Sequence, residues 1–158
     1  MMKKVLVNIG LMLLAMLLLP ACSSDNDSEP DYTPYTPDLT NTSWKLVGFG
    51  TKSGDFQLAE PQGDNNYFIL QFEEDGTISG FATSNHIYGY YLIHDDEIEL
   101  DGYYSTRITE RYPDGYDFIF AVGQCSQYEV LNGQLKLYYE KKSKYLLFTP
   151  FETTQEQP

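Results

Sequence analysis

Apolar and polar positions alternate with different rhythms along this chain. Val5 to Leu19 is an apolar stretch with one polar residue, Asn8, behind Lys3 and Lys4, and it closes in Leu19-Pro20-Ala21-Cys22. Ser23 to Pro37 holds almost nothing to bury: four acids, no base and three prolines. From Thr42 onward, short runs with a period of two take over, which is the pattern of half-buried strands. Trp44-Lys45-Leu46-Val47-Gly48-Phe49 is the first run and Tyr67 to Glu73 the second. Asp75-Gly76 separates the second from Thr77-Ile78-Ser79-Gly80-Phe81, and Asp-Gly is a strong hairpin signal because both residues tolerate positive φ. His94-Asp95-Asp96 divides Ile87–Ile93 from Glu97–Leu100, and Asn132-Gly133 divides Tyr128–Leu131 from Gln134–Tyr139. Glu140–Ser143 then turns into Lys144–Thr149. The pattern predicts an antiparallel meander.

One segment departs from period two. Phe118, Ala121, Val122 and Cys125 lie at i, i+3, i+4 and i+7, and Asp114 follows Pro113 in the place of a helix N-cap. Tyr116, Phe118, Phe120 and Val122 also alternate, so a strand competes. The helical period predicts a helix over 114–125.

Composition narrows the class. Fourteen tyrosines and nine phenylalanines favour a sheet-rich fold over a helical one. The apolar run is shorter than the ~20 residues of a membrane-crossing helix, and its basic start and small residue before Cys22 match a bacterial lipoprotein signal peptide. Cleavage before Cys22 would leave that thiol to carry a diacylglycerol. Removing 1–21 takes away two lysines and no acids, so the formal charge moves from −13 to −15. Such a chain lacks the clustered bases that phosphate contacts need, which excludes nucleic acid and anionic headgroups as partners. The expected organisation is a signal peptide at 1–21, an acidic, proline-rich, disordered tether at 22–38, one domain at 39–151 and a disordered tail at 152–158. The tether's fifteen residues from Ser23 to Pro37, if stiff, reach ~45 Å at ~3 Å per residue. With Cys22 lipidated, Cys125 has no disulfide partner and is expected to be a small core residue.

Several of these stretches together resemble the META domain family, which includes the heat-shock-type outer-membrane lipoproteins. Asn41-Thr42-Ser43-Trp44-Lys45-Leu46 is similar to the family's opening tryptophan strand. Phe72-Glu73-Glu74-Asp75-Gly76-Thr77-Ile78-Ser79-Gly80 resembles its F-x-x-D-G-x-x-x-G hairpin, and Ser84-Asn85-His86-Ile87-Tyr88-Gly89-Tyr90-Tyr91 its C-N-x-x-x-G-x-Y run. Ser105-Thr106-Arg107-Ile108 and Tyr128–Leu137 complete the series. Ser84 stands where relatives often have cysteine and no cysteine follows Thr106, so any disulfide that relatives form there is ruled out. The resemblance implies an α+β domain: a curved, half-barrel-like antiparallel sheet with one packed helix. An all-β lipocalin-like barrel is the alternative.

Catalytic patterns are weak. His94-Asp95-Asp96-Glu97 sits where a turn is expected and its side chains should diverge, while zinc needs three or four converging nitrogen or sulfur ligands. Cys125 could be drawn as a nucleophile with His86 or His94, but no elbow, phosphate loop or zinc-protease helix accompanies it. A non-enzyme without cofactor or metal is expected. The better lead is aromatic: in each adjacent tyrosine pair of a strand one ring faces out. Tyr88, Tyr90, Tyr104 and Tyr139 are the candidate ligand-binding rings. The expected protein is a monomer held to the outer membrane by its N-terminal lipid, at the periplasmic face or the cell surface. Its expected partner is an envelope protein or a small apolar or glycan ligand.

Overall fold

The computed structural model describes residues 38–63 and 66–152. The expected signal peptide, Cys22 and nearly all of the expected tether and tail lie outside these residues. β1 (Thr42–Thr51) is the organising strand; its alternation turns Trp44 and Leu46 inward, and beyond a register shift Phe49 packs against the core. One edge of β1 takes β3 (Ile69–Phe72) along its first half and β2 (Phe56–Leu58) along its second. The other edge pairs with β9 (Lys144–Pro150) from Trp44 to Thr51. Between them run β4 (Thr77–Phe81), β5 (His86–His94), β6 (Glu97–Ser105), β7 (Gln127–Leu131) and β8 (Gln134–Tyr139), each antiparallel to the next.

The β1–β9 pairing closes eight strands into a barrel, with β2 as an addition to its rim. The half-barrel-like sheet expected from the resemblance is therefore corrected to a closed one. Closure follows from the ten-residue length of β1, which leaves an edge free for the last strand. A register shift between Leu46 and Gly48 bends β1 as a bulge does, and Gly50 leaves room for the ring of Tyr145, which a Cβ there would strike. The wall is thinnest between β6 and β7, where Glu97 with Gln127 is the one register pair.

Turn chemistry sets the hairpins. Asn132 and Gly133 both take positive φ, as a two-residue type I′ turn requires. At Asp75-Gly76 only the glycine does; the Asp75 carboxylate instead accepts the Thr77 amide at 3.0 Å and its hydroxyl at 2.6 Å.

The competing periods at 114–125 resolve into α1 (Asp114–Gly123). Phe118, Ala121 and Val122 are buried, and Phe118 meets Phe68 edge to face at 5.7 Å and Phe148 at 6.3 Å. Asp114 does not cap the helix. It is the first helical residue, and its carboxylate accepts the Glu60 amide at 2.8 Å, so it ties the helix start to the segment after β2. With Asp117 it still places negative charge in the first turn, where the helix dipole favours it. Tyr103 on β6 donates its hydroxyl to the Ile119 carbonyl at 2.6 Å, and Gly123 lies against the Tyr103 ring. Leu46, Leu70, Phe72, Ile78, Ile87, Leu135, Leu137, Leu146 and Phe148 fill the interior.

Candidate functional site

Paired residues of antiparallel strands share a face. On the outer face of β4–β6 the register sets Phe81 opposite His86, Ser79 opposite Tyr88 and Thr77 opposite Tyr90. Across the next strand Tyr88 faces Tyr104, Tyr90 faces Asp101, and Leu92 faces Glu99. The rings touch in series. Tyr67 lies 6.2 Å from Phe81, Phe81 lies 4.8 Å from His86, His86 stacks on Tyr88 at 6.1 Å, and Tyr88 stacks on Tyr104 at 5.3 Å. Gly102, at positive φ, makes the irregularity that lets Tyr104 pair with Tyr88 while Asp101 pairs with Tyr90. This is an aromatic ridge along one side of the barrel.

Three of the four predicted rings belong to it. Tyr88, Tyr90 and Tyr104 are 38%, 58% and 59% exposed. Tyr139 is corrected: at 7% exposure it sits in the core with Leu135 and Leu137, which share its strand parity, and burial pushes its phenol up. Its neighbour Tyr138 takes the outer position and lies edge-on to Tyr145 at 5.9 Å. That second tyrosine face is covered by the chain's own charges. Lys136 stands 5.1 Å over Tyr145, Lys142 5.3 Å over Tyr138, and the Tyr138 hydroxyl donates to Glu129 at 2.7 Å. Burial and the Glu129 bond push the Tyr138 phenol up.

The other candidates fall to packing or to divergence. Cys125 is buried, its thiol donates to the Ala121 carbonyl at 3.1 Å, and burial pushes it far above neutral pH, so it carries no thiolate. His94, Asp95 and Asp96 stand exposed at the β5–β6 turn, and Asp96 points to Lys142 at 3.4 Å. Among the described residues, no group of three His, Cys, Asp or Glu side chains converges as a metal site would require.

Sequence reasoning missed a buried polar cluster behind the ridge. Glu110 is buried, and its carboxylate accepts the Thr83 amide at 3.0 Å, the Thr83 hydroxyl and the Asn85 side-chain amide. Asn85 also accepts from the Thr106 hydroxyl at 2.9 Å and the Ile108 amide at 2.8 Å, and donates to the Ile108 carbonyl at 2.7 Å. Ser84 accepts the Arg111 amide at 3.1 Å. Hydrogen bonds thus join the stretches around Ser84 and beyond Thr106, where the resemblance would place cysteines. Asn85 in its motif was the available signal. Nothing local marks Glu110 as buried.

Three open clefts of about 440, 560 and 450 Å³ flank the helix, and the largest, beside Ile108, Tyr116, Ile119 and Phe120, is mainly apolar. They lie between elements at the surface, while the barrel interior is filled by the core side chains.

Fold and surface together define a small closed antiparallel barrel sealed by one helix, with an aromatic outer ridge. Residues 37–150 match the META domain, and the chain belongs to that family. A comparison with curated proteins returned no match. Among solved structures, the fold is similar to a protein from Burkholderia xenovorans solved by NMR, with a TM-score of 0.60 at 22% identity over 78% of this chain and 97% of that one. It is also similar to a duf4847 family protein from Bacteroides vulgatus, with a TM-score of 0.52 at 19% identity, covering 69% of this chain and 92% of that one. These likenesses concern the fold.

Proposed function

We propose that the protein is a non-catalytic outer-membrane lipoprotein whose barrel binds another envelope component through the β4–β6 ridge. In this reading Cys22 carries the lipid and residues 22–38 tether the barrel. One observation carries the binding part: Tyr88, Tyr90 and Tyr104 are exposed on one face of adjacent strands, with Tyr88 stacked on Tyr104 and on His86, rather than scattered. Contiguous exposed apolar surface marks interaction sites, and tyrosine is enriched in the buried centres of interfaces. No catalytic step is assigned, because the described cysteine is buried and protonated. A small apolar ligand inside the barrel is disfavoured, since the interior is occupied by side chains. A sugar stacked on Tyr90 or Tyr104 is the second reading, favoured by the exposure of those two rings.

Photo-crosslinking in cells tests the binding part. A photoreactive side chain at position 104 should give a defined adduct that disappears with Tyr88→Ala and Tyr90→Ala, whereas one at position 138 should give none. Equal adducts from both positions would sink the idea. For the anchor, labelled palmitate should be lost in Cys22→Ala, and label kept by the mutant would overturn that part.

A further inference from the structure

The covered tyrosine face shows what the bare one lacks. On β7–β9, each of three lysines stands over a ring and beside a carboxylate. Lys136 lies 5.1 Å from the Tyr145 ring and 3.9 Å from Glu129, and Lys142 lies 5.3 Å from Tyr138 and 3.4 Å from Asp96. Lys144 lies 6.0 Å from Tyr139 and 2.9 Å from Glu140. An ammonium group is attracted both by the negative face of an aromatic ring and by the carboxylate, so the two reinforce each other.

The ridge repeats both acceptors. Asp101 is paired with Tyr90, Glu99 with Leu92 and Glu97 with His94, so all three carboxylates lie on the outer face beside the exposed rings. All three are exposed, and none of the described ion pairs or lysine–ring contacts falls on them. The chain has 23 acids against 10 lysines and arginines, so it is poor in cations of its own to cover a second face. The spacing also has the form of a peptide. Tyr88, Tyr90 and Leu92 recur every second residue along β5, flanked by Glu97, Glu99 and Asp101 on β6. Same-face positions of a strand recur at about 7 Å, which is also the spacing of alternate side chains in an extended partner.

We infer that the ridge binds an extended segment of a partner protein whose ridge-facing side chains, at every second residue, alternate between lysine or arginine and an apolar residue. A cation lies over Tyr90 with its head toward Asp101 and Glu99, and the apolar side chains two residues before and after it lie against the Tyr88–Tyr104 pair and against Leu92. This rests on the ridge being the binding face, and it names the chemistry of what binds there.

The test uses the full chain in detergent, with a fluorescent synthetic peptide of repeating lysine-serine-leucine-serine, the same peptide with glutamate for lysine, and a soluble glucosamine oligomer. The lysine peptide should bind saturably. Its affinity should fall about tenfold when the screening length drops from ~30 Å to ~8 Å, and about fivefold or more with Glu99→Gln plus Asp101→Asn. Tyr138→Ala should leave it unchanged. Equal binding of the glutamate peptide, insensitivity to salt or to the two neutralising substitutions, or tighter binding of the glucosamine oligomer would overturn the inference. Both substituted residues are exposed, so an unchanged melting curve shows that the fold survives. If the in-cell adduct from position 104 persists undiminished in the Glu99→Gln, Asp101→Asn variant, the ridge stands as a binding face and only its cationic partner falls. Loss of both adduct and peptide binding in the unsubstituted chain removes the two together.

Discussion

The two tyrosine faces of this barrel carry the same residue types and are finished in opposite ways. Tyr138 and Tyr145 are enclosed by Lys136, Lys142 and Glu129, so both ring faces and the Tyr138 hydroxyl are satisfied within the chain. Tyr88, Tyr90 and Tyr104 stack on one another or stand beside acids, and they stay open. The contrast lies in where the lysines fall. They cluster between Lys136 and Lys144, on the last hairpin, and that hairpin lies on the far side of the thin β6–β7 seam from the ridge. A tyrosine pair in sequence is therefore neutral about function; its charged surroundings decide whether it finishes a surface or leaves one available.

The strongest way to break the comparison is to remove the scaffold that both faces share. Trp44 is buried and donates its indole N–H to the Thr42 hydroxyl at 2.7 Å, next to the β1–β9 closure. Trp44→Ala should cost about 3–5 kcal/mol of the ~5–15 kcal/mol that holds such a domain, read from chemical denaturation. A wild-type midpoint would mean that the closing strand is not anchored there.

Asn85 separates the faces. Replacing it with Ala leaves Glu110, Ile108 and Thr106 short of partners, at a cost of about 1–3 kcal/mol. Amide shifts should change around His86, Tyr104 and the 106–111 loop and leave Tyr138 and Tyr145 in place. Changes spread evenly over both faces would show that the cluster does not support the ridge in particular.

A double-mutant cycle of Lys142→Ala with Tyr138→Ala should return about 0.5–1 kcal/mol of coupling, the scale of an exposed cation–ring contact. Tyr104→Ala, by contrast, should lower stability by less than ~1 kcal/mol while removing the in-cell adduct of a probe placed at position 90. A large stability loss at Tyr104 would make the ridge structural.

The smallest effect is alkaline. The Tyr138 phenol is held up in the folded state by burial and then by Glu129, so the unfolded chain loses that proton first. The stability that this group contributes is intact below the unfolded pKa of ~10 and is lost as pH rises beyond it. Tyr138→Phe should flatten part of the decline in melting temperature above that pH. An identical decline in the mutant would show that other groups govern it.

Much of this architecture is readable from local pattern. The Asp-Gly and Asn-Gly turns fix two hairpins, and the spacing of Phe118, Ala121, Val122 and Cys125 marks the buried face of α1 even though the helix ends at Gly123. What escapes is non-local. No short stretch announces that β1 pairs with β9, and β2 has only three exposed residues to signal it. For Tyr139 the alternation rule was sound and the parity was misassigned; Leu135 and Leu137 set it. Tyr88, Tyr90 and Tyr104 were legible as outward rings, but the ring series from Phe81 through His86 and Tyr88 to Tyr104 depends on strand order and on the irregularity at Gly102.

Closure of the barrel by its first and last strands has a consequence for how the chain reaches its native state. Trp44 finds its cross-strand neighbour Pro150 only after about a hundred intervening residues have been made and ordered. Pairings of such sequence separation are entropically late and belong to slowly folding topologies. During synthesis the first strand is held by β2 and β3 alone, and its second edge is exposed. A chain cut after Tyr139 would keep six of the eight wall-to-wall pairings and still present an open-edged sheet, of the kind that pairs with other copies of itself. The C-terminal strand is thus the piece that converts an adhesive intermediate into a closed, non-adhesive barrel.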